Sequence, residues 1–443
     1  MIPSITFYKK DTSFIDKVLI FLILLIPLSL AISIFAADLF ASISGLIIIY
    51  KFLNKENRNI FISVKNQIII FSLLYLIILI SLFFTNYKQV SFLASFFYFR
   101  YFLLSLSIFY LLKKYDFFFS TFFKIFIASI LFVIFDALIQ YFFGFNIFGY
   151  NLVTYQSGNI NYLSGFFNEE KKLGSYLVRF LPCMLSMIYL YNPKISKKFE
   201  IFLFAIISIS IFLASERTAL FLLIIIYFFY FLITKKKILF LSLAAIIFIS
   251  LFTFQKTLTQ KYINFTLEQT GLITLFKNSK DLEYKAFEQN NLVRYYSEEH
   301  ENLSYTGLKI FQNNYLFGSG VKTFYQECEN IKNKIGQIKN KRNNKLVCST
   351  HPHNTYVQIL SEIGMFGFLL IICIFFKTLF SNFKILITKE NFNYNKSYYF
   401  INLSIIINIM PLIPSGSFFN NWICLIIFFP IGFWLYINDK IKR

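Results

Sequence analysis

Two of the chain's three histidines, His351 and His353, lie in the run Cys348-Ser349-Thr350-His351-Pro352-His353-Asn354, where a long polar stretch gives way to an apolar one. The third, His300, lies upstream in the same polar stretch. A neutral imidazole can take the proton from a hydroxyl as it attacks an electrophile, and its pKa suits that work near neutral pH. His353, beside the start of the apolar run, is the candidate for that base or for orienting a substrate. The blander alternatives are phosphate binding and capping of the helix that Asn354 begins.

Arginine is the other informative residue. Only seven of the 43 basic residues are Arg, so those in or beside apolar runs stand out. Guanidinium stays charged and presents a planar fork of donors, which suits an anion. Arg217, Arg179 and Arg100 are the candidates for such a group, since a charge inside a membrane is costly. The alternative for them is a structural ion pair, with Asp136 as a partner, or a snorkelling side chain. Secondary candidates for substrate contact are His300, Arg294, His351, Asn354 and Glu362; Glu362 is also a candidate partner for Arg217.

A metal is not expected. Cys348, His351 and His353 lack zinc-finger spacing, Pro352 keeps the pair off a common helix face, and no acidic ligand sits close by. Paired Asp residues of the sort that position a metal in nucleotide-sugar transferases are also missing. The chemistry expected is metal-free and needs no cofactor. Cys328 and Cys348 flank a basic, Asn-rich segment and are either joined in a disulfide or left as free thiols, whereas Cys183, Cys373 and Cys424 read as small core residues.

The elements that must position these groups follow from composition. With 57% hydrophobic, 21% aromatic and 15% charged residues, the 443-residue chain reads as an all-α, polytopic integral membrane protein. Its charge of +21 is read as membrane topology rather than nucleic-acid binding. About twelve spans are predicted. Two come from the run at 18–52, with a turn at Asp38, and the rest fall at about 67–86, 90–112, 117–143, 173–191, 199–215, 217–234, 238–254, 355–376, 397–414 and 418–437. Ala36-Ala37 could imitate a signal-peptidase site, but the many later spans argue for a retained helix.

Alternate threading puts Lys51, Lys55, Arg58, Lys65, Lys113, Lys114, Lys194, Lys235 to Lys237, Lys377 and Lys384 on the side of both termini, which the positive-inside rule makes cytoplasmic. The predicted organisation is an N-terminal bundle over 1–254 with a smaller external loop at 145–172, a large external loop over 255–353, and C-terminal helices over 354–443. All three histidines then fall outside. Within the large loop, Ser304 to Asn314 reads as a helix lying on the membrane or capping the bundle, broken by Gly318-Ser319-Gly320.

His353-Asn354, nine intervening residues and Gly364-Met365-Phe366-Gly367 resemble the signature of the bacterial O-antigen ligase and polymerase superfamily. Leu316 to Gly320 is similar to that family's Pro-Leu-x-Gly-x-Gly turn, Ser215 to Ala219 to its Ser-Arg-x-Ala element, and Ser164 to Glu169 with Gly174 and Arg179 to the segment before a mid-chain helix. The likeness covers about residues 160–370. Tyr315 replaces the usual Pro, and His300 stands roughly where many members have an arginine.

The resemblance implies inverting transfer of a glycan from undecaprenyl pyrophosphate to a hydroxyl of the lipid A core, on the periplasmic face of the bacterial inner membrane. The reaction belongs to lipopolysaccharide and cell-envelope synthesis. O-antigen polymerase and protein O-oligosaccharyltransferase are the alternatives, with another glycan or a protein as acceptor. A non-enzymatic transporter is a remote one and would favour internal repeats, which the sequence lacks.

Overall fold

The computed structural model describes residues 8, 9, 11–154, 161–191, 197–234, 249, 253, 260, 262, 263, 266, 267, 296–335, 345–388 and 393–442. The fold is an all-α membrane protein. Eight of its helices are long and apolar enough to cross a membrane, and two shorter apolar ones accompany them. The predicted span at 238–254 and Lys235 to Lys237 lie outside the described residues save for Ile249 and Thr253, as do Lys194 and Arg294.

The first two helices are α1 (Phe14–Ile32) and α2 (Ile34–Leu53). The break between them falls at Ser33 and not at Asp38. Ser33 closes α1 through its N–H to the Ser29 carbonyl, and its hydroxyl accepts the Ala36 N–H to start α2. Asp38 is left inside α2, where it pairs with Arg100. After the short α3 (Lys55–Ile60) comes α4 (Lys65–Phe84). The stretch expected as one span at 90–112 is broken into α5 (Lys88–Phe96) and α6 (Phe99–Lys114). In α5, Ser91 and Ser95 are buried while Phe92, Leu93 and Phe96 are exposed, so the helix is two-faced, and with α6 it still makes one of the eight candidate spans, Lys88–Lys114.

Next is α7 (Asp116–Phe143). Asp136, expected as an arginine partner, instead accepts the Asn146 side chain at 3.1 Å and the Ile147 N–H at 3.0 Å, closing the turn after α7. A two-residue ladder pairs Val153–Thr154 with Asn161–Tyr162. The chain then enters α8 (Leu173–Tyr191), α9 (Lys197–Leu213) and α10 (Arg217–Ile233).

The polar segment holds α11 (Glu298–Asn313) and α12 (Phe324–Ile335). Helix α11 starts earlier than Ser304 because Ser297 caps it and Glu298, Glu299 and Glu301 complement the positive end of its dipole. Leu303, Ile310, Phe324, Cys328, Ile331 and Leu346 form a small second core beneath these helices. Cys328 and Cys348 are joined by a disulfide that ties α12 to the strand of chain leading into His351.

The last helices are α13 (Thr355–Thr388), α14 (Asn393–Asn408) and α15 (Asn421–Lys442). Helix α13 is broken at Gly364, whose φ of 72° and ψ of −167° suit glycine alone. The turn at Leu316 to Gly320 is laid against this break, backbone to backbone. Ser319 N–H donates to the Ser361 carbonyl, Gly320 N–H to the Glu362 carbonyl, and Met365 N–H to the Tyr315 carbonyl, at 2.8 to 3.0 Å. A Cβ on Gly318 would stand 2.3 Å from the Glu362 carbonyl carbon, and one on Gly364 would stand 2.3 Å from the Leu316 oxygen.

Gly364→Ala therefore combines a left-handed backbone with a direct clash and is expected to cost roughly 3 kcal/mol. Gly149→Ala, also at positive φ (81°) but with nothing within 4 Å, should cost only about 1 kcal/mol. Unfolding of both variants in detergent checks this; equal losses would mean that the close approach at Gly364 contributes nothing.

Candidate active site

Helix α8 carries Arg179 and α10 begins with Arg217, and one carboxylate fixes the two helices together. Glu216 accepts the Gly174 N–H at 2.6 Å, the Ser175 N–H at 3.0 Å and the Ser175 hydroxyl at 2.6 Å. It thus serves as an N-terminal cap for α8 although it precedes α10. Gly174 is small because a Cβ there would meet Glu216 Oε1 and Ala219 Cβ, each at 3.1 Å. Both arginines consequently line one cavity of about 880 Å³.

His351 and His353 line the same cavity. His353 sits at a left-handed φ of 52° just ahead of α13, and its carbonyl accepts the Ser415 N–H at 2.8 Å. That strain at a non-glycine residue is held by the loop between α14 and α15, which also bonds Thr355 through Ser415 Oγ at 2.8 Å. The ring of His353 lies 4.0 Å from that of His351 and 5.6 Å from that of His300. His300, whose Nδ1 is 2.6 Å from Ser297 Oγ, faces a neighbouring hollow of about 560 Å³ that Arg217 also lines. Arg217 therefore stands between the two spaces.

Burial pushes all three imidazoles below their ordinary pKa. For His353 the carboxylate of Glu299 and the Ser415 backbone partly offset that push, whereas His351, with His353 beside it, falls to about 4. In His300 burial again leads, followed by the charge of His353. The cluster is neutral at pH 7, the state a general base requires.

Arg179 is buried; its Nη1 donates to the carbonyl and side-chain oxygens of Asn408, at 3.3 and 3.1 Å, while its Nε has no hydrogen-bond partner. Arg217 takes no part in the ion pairs of the described residues. Three lysines absent from the sequence reading, Lys171, Lys172 and Lys322, line the cavity too. Scarcity singles out arginine and says nothing about a lysine in a Lys-rich chain. The signal that was available for Lys322 is its place two residues after the Gly318-Ser319-Gly320 break, and it has a φ of 63°.

Besides His300, which faces the neighbouring hollow, three expected substrate contacts are not in the lining of this cavity. Arg100 is ion-paired with Asp38 at 3.0 Å in a separate space, so it is not placed to hold the same anion as Arg217. Asn354 uses its side-chain oxygen to accept the Tyr356 and Val357 N–H groups, as a helix cap. Glu362 is fully buried and is no partner of Arg217; it accepts the Lys322 N–H at 2.9 Å and the Gln358 side chain at 3.2 Å. Among the described residues, no group of three His, Cys, Asp or Glu side chains is arranged to hold a metal ion.

Fold and site together define a multi-pass membrane protein with a cationic, histidine-edged cavity at one end of its helices. Residues 202–372 match the family model described as O-Antigen ligase, which supports the resemblance to the O-antigen ligase superfamily carried by His353-Asn354 and Gly364 to Gly367. That family is one of glycosyltransferase-like membrane enzymes handling lipid-linked glycans. The matched segment holds Arg217, the three histidines and the Gly318–Gly364 crossing, while Arg179 lies before it. No curated relative matches the chain.

The neutral burial of His351 has a measurable sign. Its unfolded form takes up a proton near 6.5 and its folded form only near 4, so stability falls as pH drops from about 6.5 and the loss levels off near pH 4. Between pH 7.5 and 5, His351→Asn should lose less of its thermal midpoint in detergent than the parent protein. An equal loss would rule out a buried neutral imidazole at this position.

Proposed function

We propose that the protein is an inverting glycosyltransferase of the O-antigen ligase type, moving a glycan from undecaprenyl pyrophosphate to a hydroxyl of the lipid A core. The observation that carries this reading is the lining of one cavity by Arg179, Arg217, His351 and His353. In the positive-inside orientation that cavity opens on the periplasmic side of the inner membrane, with both termini cytoplasmic.

In this reading the pyrophosphate lies against Arg217 and the cavity-lining side of Arg179, with Lys171, Lys172 and Lys322 adding positive charge around it. Neutral His353 accepts the proton of the acceptor hydroxyl as its oxygen bonds to the anomeric carbon. The bond from that carbon to the phosphate oxygen breaks, and undecaprenyl pyrophosphate leaves with the electron pair. Direct attack inverts the anomeric configuration. Glu216, also in the cavity lining, holds the starts of α8 and α10 together so that both guanidinium groups face the same anion.

Purified protein given undecaprenyl-pyrophosphate glycan and rough lipopolysaccharide should form ligated product. His353→Ala and Arg217→Ala should each lower that transfer at least about 100-fold while keeping the parent thermal midpoint. Elongation of the lipid-linked glycan without ligation would replace the ligase by a polymerase. Normal transfer by both variants would remove these residues from the mechanism.

A further inference from the structure

A second cavity of about 570 Å³ adjoins the first and plays no part in the mechanism above. The chain from Phe419 to Ile423 is the partition between them. Phe419 and Asn421 face the second cavity, while Asn420, Trp422 and Ile423 face the first. Helix α5 does the same on another side, with Val90 toward the first and Leu93 and Ala94 toward the second. Lys322 lines both.

The two linings differ in chemistry. The first gathers Arg179, Arg217, Lys171, Lys172 and Lys322 around one carboxylate, Glu216, as a polyanion requires. In the second, Arg100 is already matched: its Nε and Nη2 donate to Asp38 at 3.0 and 3.2 Å, and Asn421 donates to the same carboxylate at 3.2 Å. What remains there is a polar patch of Asp38, Asn421 and Ser42 with one further cation, Lys322, which is in none of the ion pairs of the described residues, and beside it an apolar wall of Leu46, Leu93 and Phe97. Leu46 and Leu93 are 65% and 63% exposed and so face lipid in a membrane. Hydroxyl-binding groups, one positive charge outside the ion pairs and a lipid-facing wall together describe the surroundings of a phosphorylated sugar with acyl chains.

We propose that this second cavity is the subsite of the acceptor, an anionic acylated glycolipid that enters sideways from the bilayer. Its chains lie along Leu46 and Leu93, its sugar meets Asp38 and Asn421, and its phosphate meets Lys322, which leaves the rest of the headgroup directed across the partition toward His353. This assignment rests on the transfer reading above. It also makes Lys322 a shared residue that touches acceptor on one side and the donor anion on the other.

The test separates binding from transfer. In the full chain carrying Cys373→Ser, the remaining free cysteines, Cys183 and Cys424, are buried, so Ser42→Cys gives one reporter thiol in the second cavity. In phosphatidylcholine nanodiscs a maleimide should label it, and adding lipid A should slow labelling about fivefold. Phosphatidylglycerol at equal charge and inorganic phosphate should leave the rate unchanged, and Lys322→Ala should remove most of the lipid A effect. Where transfer is measured, Leu46→Trp should raise the KM for lipopolysaccharide about tenfold and leave the KM for the lipid-linked glycan within twofold.

Equal slowing by phosphatidylglycerol or by phosphate, no slowing by lipid A, or a rise in the donor KM instead would each overturn the subsite. Protection by lipid A in a protein that transfers nothing would keep the subsite and overturn the transfer reading alone.

Discussion

The crossing of two backbones at Gly318 and Gly364 is the constraint on which the rest of this site depends. Chains can approach that closely only where neither carries a Cβ, and the N–H groups of Ser319, Gly320 and Met365 find carbonyl partners across the contact. The crossing breaks α13 two residues after the buried Glu362 and delivers Lys322 to the rim of both cavities. It also fixes the polar segment, anchored further along by the Cys328–Cys348 disulfide, to the helix that His353 precedes. The histidines are thus held between two attachments, which under the proposed function would keep a base at a defined point.

Electrostatics then explains why two neighbouring cavities differ. Burying a cation is costly unless it is paired, and Arg100 is paired with Asp38. Arg179 hydrogen-bonds only to the neutral Asn408 and feels the charge of Glu216 from a distance, while the hydrogen bonds of Glu216 go to the start of α8. The first cavity is therefore left with surplus positive charge at the start of two helices, where the helix dipoles add to it. A bound polyanion would supply the missing counter-charge. Burial of the imidazoles works in the same direction, since neighbouring cations and desolvation both favour the neutral ring.

Much of this was legible in the sequence. The apolar runs gave the membrane class; the scarcity of arginine picked out Arg100, Arg179 and Arg217, of which the last two line one cavity, and His353, singled out by its place at the start of a span, lines it too. Other expectations failed for identifiable physical reasons. Asp38 was read as a turn because a carboxylate in an apolar run is costly, but the cost is met by Arg100, far away in the chain. Asn354 and Glu362 looked free to contact substrate, yet one caps α13 and the other binds the Lys322 backbone inside the protein. Lys171, Lys172 and Lys322 went unnoticed because lysine is common along the whole chain.

The sequence by itself determined the environment: a period-independent excess of apolar residues dictates helices in a membrane, and residue type dictates which few side chains can hold an anion or move a proton. Tertiary structure alone decided their grouping. Arg179 and Arg217 line one cavity because Glu216 reaches from the start of one helix to cap another, and Arg100, paired with Asp38, lines a different one. Such pairings join residues distant in the chain, and their energies depend on burial and direction, which no local pattern encodes.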